Sequence, residues 1–370
     1  MTKPLPRADQ VGSLLRPARL HEARARHAAG GITAAELRGI EDACIRALIK
    51  QQEDAGLTVI TDGEFRRENW WIDFMRGLSG VEIRPGRGPS FKRGEDHDYK
   101  YVPLEVHTTA KLSAPKPIVV PDYQTIAANT KHTAKVTLPS PSRMHFHGGR
   151  SVVSPSAYPD IEMFFADIAK IYRAEIAALE AAGCRLIQVD DPLLSYFISD
   201  KMRAEIIAAG ETPDGRLRRY VALINDCISA RKSDTRIGVH VCRGNSRSGW
   251  MTEGGYERIA ETVFGSLQAD SLYLEYDDAR SGDFAPLRFV PETVDVVLGL
   301  VTTKFPAMET KAALKRRIDE AAKYVDHARL ALSPQCGFAS SVEGNIITET
   351  VQWAKLRLVV ETAREVWGTA

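Results

Sequence analysis

The stretch Arg236-Ile237-Gly238-Val239-His240-Val241-Cys242-Arg243-Gly244-Asn245 is the one from which the rest of the chain can be read. Arg236 to Val239 reads as a short buried strand. Residues i and i+2 of a strand point to one face, so His240 and Cys242 share a side. Gly244-Asn245 then turns the chain, which puts the pair where the strand ends. An imidazole and a thiol side by side suit a zinc ion, which takes nitrogen and sulfur ligands in a tetrahedron. Two ligands are too few, so the others must come from other strand ends.

Working outward, strands and helices alternate. Downstream, a helix over about 255–266 leads to Ser271-Leu272-Tyr273-Leu274-Glu275. Asp295 to Val301 is a near-continuous apolar strand, followed by a helix over 309–324. Leu330 to Pro334 is the last strand, with Gln335-Cys336-Gly337 at its end, and a helix from about Asn345 to Trp367 closes the chain. Upstream, a helix over about 203–231 precedes the opening stretch. Before it come Leu186-Ile187-Gln188-Val189-Asp190-Asp191 and a long helix over about 161–182. Further back, Leu57 to Thr61 follows a helix over about 34–55 with apolar residues at helical spacing, and Asp9 to Leu15 is a short β run broken by Arg16-Pro17. Strands near 11, 59, 137, 187, 239, 273, 298 and 331 give the count of a (β/α)8 barrel, an α/β fold whose active site lies where the C-terminal strand ends meet. One domain over 1–370 is expected. Residues from about 82 to 135 interrupt the rhythm. Their alternating runs, Tyr99 to Val106 and Pro117 to Val120, predict an inserted β-hairpin or lid.

The composition is that of an ordinary globular protein, 44% hydrophobic and 26% charged. A net charge of +1 argues against a polyanion-binding surface and so against nucleic acid. Met1 to Arg7 has no apolar signal segment, and no apolar run approaches the ~20 residues that span a bilayer. A cytoplasmic location with no membrane role is expected. The cysteines at 44, 184, 227, 242 and 336 are too sparse for a disulfide framework. Only Cys242 and Cys336 follow a β run and precede a Gly-containing turn.

In a barrel, His240, Cys242, Glu275 and Cys336 face one mouth and can form an N, S, O, S set around zinc. The alternative is two buried thiols, a core histidine and a solvated glutamate. Asp62-Gly63-Glu64-Phe65-Arg66-Arg67-Glu68-Asn69-Trp70-Trp71 reads as a site wall or as a salt-bridged loop over packed aromatics. His145 and His147 read as loop histidines that contact substrate or stand exposed. No phosphate-binding glycine loop is present.

Taken in order, Val11-Gly12-Ser13, Asp62-Gly63-Glu64, Gln188-Val189-Asp190-Asp191-Pro192, His240-x-Cys242, Glu275 and Ser333-Pro334-Gln335-Cys336-Gly337 resemble the catalytic C-terminal half of cobalamin-independent methionine synthase, including short bacterial paralogs. The resemblance spans nearly the whole chain. It implies a zinc ion on His240, Cys242, Glu275 and Cys336, with Ser13, Glu64 and Asp190 holding the amino-acid part of homocysteine. It implies methyl transfer to the homocysteine thiol, from 5-methyltetrahydrofolate or another methyl carrier, a corrinoid protein among the possible partners. The methyl-donor half departs from the family. Thr302 and Lys304 stand where the family has an aspartate and a proton-donating histidine, so Lys304 is the candidate proton donor. His145 or Phe146 occupies the neighbourhood of an expected pterin-stacking tryptophan, and Tyr196 the position of an acidic pterin contact. Trp70 and Trp71 are further candidates for the donor wall, or for rim packing. Two other readings stay open: alkyl transfer to a different thiol, as in the related epoxyalkane–coenzyme M transferases, and a barrel with a structural zinc.

Overall fold

A computed structural model describes residues 5–86, 90–91, 99–100 and 104–370. Parallel strands form a curled seven-stranded sheet in the order β1 (Val59–Ile60), β6 (Thr133–Pro139), β7 (Leu186–Asp190), β8 (Arg236–Val241), β9 (Ser271–Glu275), β10 (Asp295–Val301) and β11 (Leu330–Pro334). The helices between them, among them Ile161–Ala181, Pro213–Ile228 and Lys311–Ala321, cover the outside. Every residue of β7, β8, β9 and β11 is buried, as expected of parallel strands covered on both faces.

The expected first strand near residue 11 takes the eighth place without forming a regular ladder. Ala8 pairs with Leu332 in a single parallel bridge, and the Asp9 amide donates to the Leu332 carbonyl. Beyond that, side chains replace a strand neighbour. Lys135 Nζ donates to the Gln10 carbonyl, Gln188 Nε2 to the Val11 carbonyl at 2.6 Å, and Thr61 Oγ1 to the Gly12 carbonyl at 2.7 Å. Buried carbonyls need a partner of some kind, and here the barrel interior supplies it. Lys135 is completely buried and pairs with Asp9 at 2.7 Å, while the Tyr273 hydroxyl donates to the other Asp9 oxygen at 2.6 Å.

The inserted hairpin is present, with different limits from those expected. Ser79–Pro85 (β2) pairs antiparallel with Leu104–Ser113 (β5), and Ser90–Phe91 (β3) with Tyr99–Lys100 (β4). Residues 87–89, 92–98 and 101–103 of the predicted insertion lie outside the described residues. The run Pro117 to Val120 is not a strand. A helix, Val120–Ala127, starts there with Pro121 in its first turn, where a missing N–H costs nothing, and it belongs to the barrel rhythm before β6. The long helix expected over 203–231 is two, Asp200–Ala208 and Pro213–Ile228. Gly210 at φ +82° and Pro213 at the next helix start separate them. Among the described residues no helix is long and apolar enough to cross a membrane.

Candidate active site

His240 is next to the last residue of β8, Cys242 follows the strand, and Cys336 lies two residues beyond β11. One ligand atom from each comes within 4.8 Å of the others, and all three residues are buried. The two sulfurs are 3.7 Å apart and bonded as donor and acceptor. Cys242, bonded to the other sulfur and buried, is held well above the usual thiol range. Cys336, through the same bond, is drawn well below it against the effect of burial, with His240 and Lys304 adding positive field. Burial works to lower the pKa of His240, but Cys336, Asp190 and Glu275 outweigh it, and the net shift is upward. Neither ring nitrogen of His240 has a well-formed hydrogen bond.

Glu275 ends β9 and is completely buried, but its carboxylate does not join the 4.8 Å group. Its Oε2 accepts from the Arg243 amide at 2.8 Å, and Oε1 has no partner. Buried polar atoms are nearly always paired. Two imidazole nitrogens and a carboxylate oxygen left over beside two thiols are therefore a donor set that fits a metal ion.

The cluster borders an open pocket of about 470 Å³. Of the residues expected at the site, Ser13, Glu64, Trp70, Asp190, Tyr196, His240, Cys242 and Cys336 line it. Glu64 is a non-glycine residue at φ 58°, a strained conformation that aims its side chain inward. Its Oε1 accepts from Thr137 at 2.7 Å and from Arg67 at 3.2 Å, while Oε2 is buried and unpartnered. Asp190 ends β7 in register with His240. Burial pushes its carboxyl up to about 7, with Glu64 adding to the rise and His240 opposing it. Asp191 faces the other way and caps the next turn through the Leu193 and Leu194 amides. Ser13 sits so close to Gly337 that a Cβ there would come within 1.9 Å of its Oγ.

Three expected residues stand elsewhere. Trp71 is buried under the Arg143 guanidinium, 4.1 Å from its ring centre, and so belongs to rim packing. His145 is buried against Phe165 and bonded to the Tyr220 hydroxyl at 2.9 Å, and burial first, then nearby Arg216, pushes its pKa down to about 4. Neither lines the pocket, because the loop after β6 coils into a short helix, Arg143–Phe146, that turns His145 outward into an aromatic cluster. Lys304 is also buried and off the pocket wall, with its Nζ 3.4 Å from the Gly244 carbonyl.

Reading the sequence alone missed Arg16 and Asn245. Arg16 is buried, and burial holds its pKa at about 10. It donates to the Glu64 and Arg67 carbonyls and to those of Ala339 and Ser341, tying the Glu64 loop to the Cys336 loop. Asn245 lines the pocket, and its Nδ2 donates to the Gly337 carbonyl at 2.7 Å and to Ser340 Oγ at 3.2 Å. Its position in the turn after Cys242 was the available signal. Arg16, next to a strand-breaking proline, gave none.

Residues 105–365 match the family described as the cobalamin-independent synthase, catalytic domain. The chain is 45% identical over 366 residues to the uncharacterized protein YxjH of Bacillus subtilis, covering 98% of this chain and 94% of that one. A crystal structure from Listeria monocytogenes, assigned provisionally as a vitamin-B12 independent methionine synthase, is 37% identical, covers 98% of both chains and superposes with a TM-score of 0.78. A B12-independent methionine synthase from Shewanella sp. W3-18-1 shares the fold at 21% identity and a TM-score of 0.71, again over 98% of each chain.

Proposed function

The chain belongs to the cobalamin-independent methionine synthase family through its catalytic domain, and from that premise we propose that it transfers a methyl group to the thiol of L-homocysteine, forming L-methionine. The observation that carries this reading is the convergence, in one pocket, of the His240, Cys242 and Cys336 cluster with two buried carboxyls, Glu64 and Asp190. A purely structural metal would not need to border an open pocket at the barrel mouth. The family description, cobalamin-independent, leaves a corrinoid-carrying partner without support.

His240, Cys242 and Cys336 would hold a zinc ion, with Glu275 as the fourth ligand. Zinc supplies a Lewis acid that lowers the pKa of a thiol from about 8.5, so that the sulfur is a thiolate at neutral pH. The chain's own residues do the rest. Glu64 Oε2, unpartnered and buried, is suited to take the ammonium of homocysteine together with Asp190, and Ser13 Oγ is within reach of the same end of the pocket. A buried ammonium needs such paired carboxylates. The same requirement disfavours a sulfonate thiol, which has no ammonium. Arg67 and Thr137 hold Glu64 through its other oxygen, so its orientation is set before substrate arrives. Trp70 and Tyr196 line the same pocket, where a methyl donor would stand.

Zinc content and zinc-edge X-ray absorption, with and without L-homocysteine, test the proposal. Bound zinc whose shell gains a sulfur on adding homocysteine is the expected result. A protein that binds no zinc, or a shell indifferent to homocysteine, would overturn it.

A further inference from the structure

Two features of the pocket bear on which methyl donor it takes. First, among the described residues its wall carries no lysine or arginine. Its ionisable groups are carboxyls, thiols and one imidazole. Of the cations nearby, Arg67 is bound to Glu64 and to Thr137, and Lys304 lies by the Gly244 carbonyl. The Asn245 amide adds to this. Both its N–H bonds are spent on Gly337 and Ser340, so Oδ1 is the atom left buried without a partner, and it adds a partial negative charge. The same wall carries two aromatic residues, Trp70 and Tyr196. Trp70 is fixed by its amide on the Ser340 carbonyl at 2.9 Å, and Tyr196 packs on Phe146 with ring centres 5.7 Å apart. Aromatic faces with electron-rich surroundings attract methylated cations.

Second, Lys304, the residue that stands at the family's proton-donor position, is not on this wall. Its Nζ lies 3.4 Å from the Gly244 carbonyl. A methylated amine leaves as a poor, anionic group unless it is protonated. A sulfonium or quaternary ammonium leaves as a neutral thioether or amine and needs no proton.

We propose that the methyl donor of this chain is a small methylated onium cation, a sulfonium or quaternary ammonium compound, held against Trp70 and Tyr196. This rests on the homocysteine-methylating reading above. The thiol proton of homocysteine is released to solvent before the transfer. The sulfur lone pair then forms the S–CH3 bond of methionine while the donor's S–CH3 or N–CH3 bond breaks and its electron pair stays on the departing atom. An anion and a cation become two neutral centres, and no further reactant is required.

The experiment uses the full chain loaded with zinc, L-homocysteine, and in turn S-methyl-L-methionine, dimethylsulfoniopropionate, glycine betaine and 5-methyltetrahydrofolate as mono- and triglutamate. Homocysteine binding is measured separately by calorimetry. Methionine should form from an onium compound about 100-fold or more faster than from either folate, the factor a missing proton donor costs a leaving nitrogen. The two sulfonium probes against glycine betaine tell which onium class is used. Trp70→Leu should raise the KM for that donor by roughly 3- to 30-fold, the range of one cation–π contact, with Trp70→Phe recovering most of it and homocysteine binding unchanged. Homocysteine binding with turnover from folate alone, or with no onium turned over, overturns this inference and leaves the proposed function standing. Failure to bind homocysteine overturns the proposed function, and this inference with it.

Discussion

Glu64 and Asp190 differ in what surrounds each carboxyl, and the difference can be measured. Glu64 has one oxygen bound and one buried without a partner. Glu64→Gln keeps the shape and removes the charge. A hydrogen bond to a charged group contributes about 1.5–3 kcal/mol, so the KM for homocysteine should rise roughly 10- to 150-fold. Asp190 is pushed up to about 7 by burial, far above the usual carboxyl range. Only its ionised form pairs with an ammonium. Below its pKa, binding an amino acid must therefore expel the Asp190 proton. Affinity for L-methionine, which carries no titrating thiol, should fall by up to about tenfold per pH unit below roughly pH 7 and level off above it. Calorimetric titration across that range checks this, and Asp190→Asn should flatten the profile. The identities of these residues were legible in the sequence, because each stands at a strand end beside a turn. The partners of each, and the raised pKa of Asp190, were not, because burial and neighbouring charges come from other strands.

At the scale of the element, the segment from Asp9 to Leu15 shows what strand propensity leaves out. Its residues predict a β-strand, and it occupies a strand's place, but its carbonyls are met by Lys135, Gln188 and Thr61 side chains from the barrel interior. The segment therefore depends on a buried ion pair. Lys135→Met would leave Asp9 charged and buried with only Tyr273 and the Gln10 amide as partners. Breaking one side of a buried pair costs about 3–5 kcal/mol, and denaturant unfolding should show a loss of that order. The double substitution with Asp9→Asn should regain part of it. A second element-scale test concerns the turn after β11. A methyl group at Gly337 would come within 1.9 Å of Ser13 Oγ. Gly337→Ala should push Ser13 off its position and weaken homocysteine binding, while metal content stays close to that of the parent. The hairpin Ser79–Pro85 with Leu104–Ser113 was foreseen, but its limits were not. Proline and alternation mark strands and helix starts alike, so Pro117 to Val120 was misread.

At the scale of the whole molecule, the cluster joins the two ends of the sheet's second half, β8 and β11, across the barrel mouth. A metal bound there binds the folded chain and not the unfolded one. At a free zinc concentration 100 times its dissociation constant, the fold should gain about 2.7 kcal/mol. Removing the metal with a chelator should lower the melting temperature, and Cys336→Ser should abolish the difference between the loaded and chelated forms. Arg16 acts at the same scale, since it ties the loop that carries Glu64 to the loop that carries Cys336.

Local patterning was enough for the alternation of strand and helix, the count that makes a barrel, and the placing of His240, Cys242, Cys336, Glu64 and Asp190 at strand ends. These follow from periods of two and 3.6 and from turn residues, all of which are local. It took the closed barrel to turn Glu275 toward the Arg243 amide, to keep His145 and Lys304 off the pocket wall and to bring Asn245 onto it. Each of those outcomes depends on which buried polar group finds a partner, and the partners come from segments far apart in the chain and adjacent only once the barrel has closed.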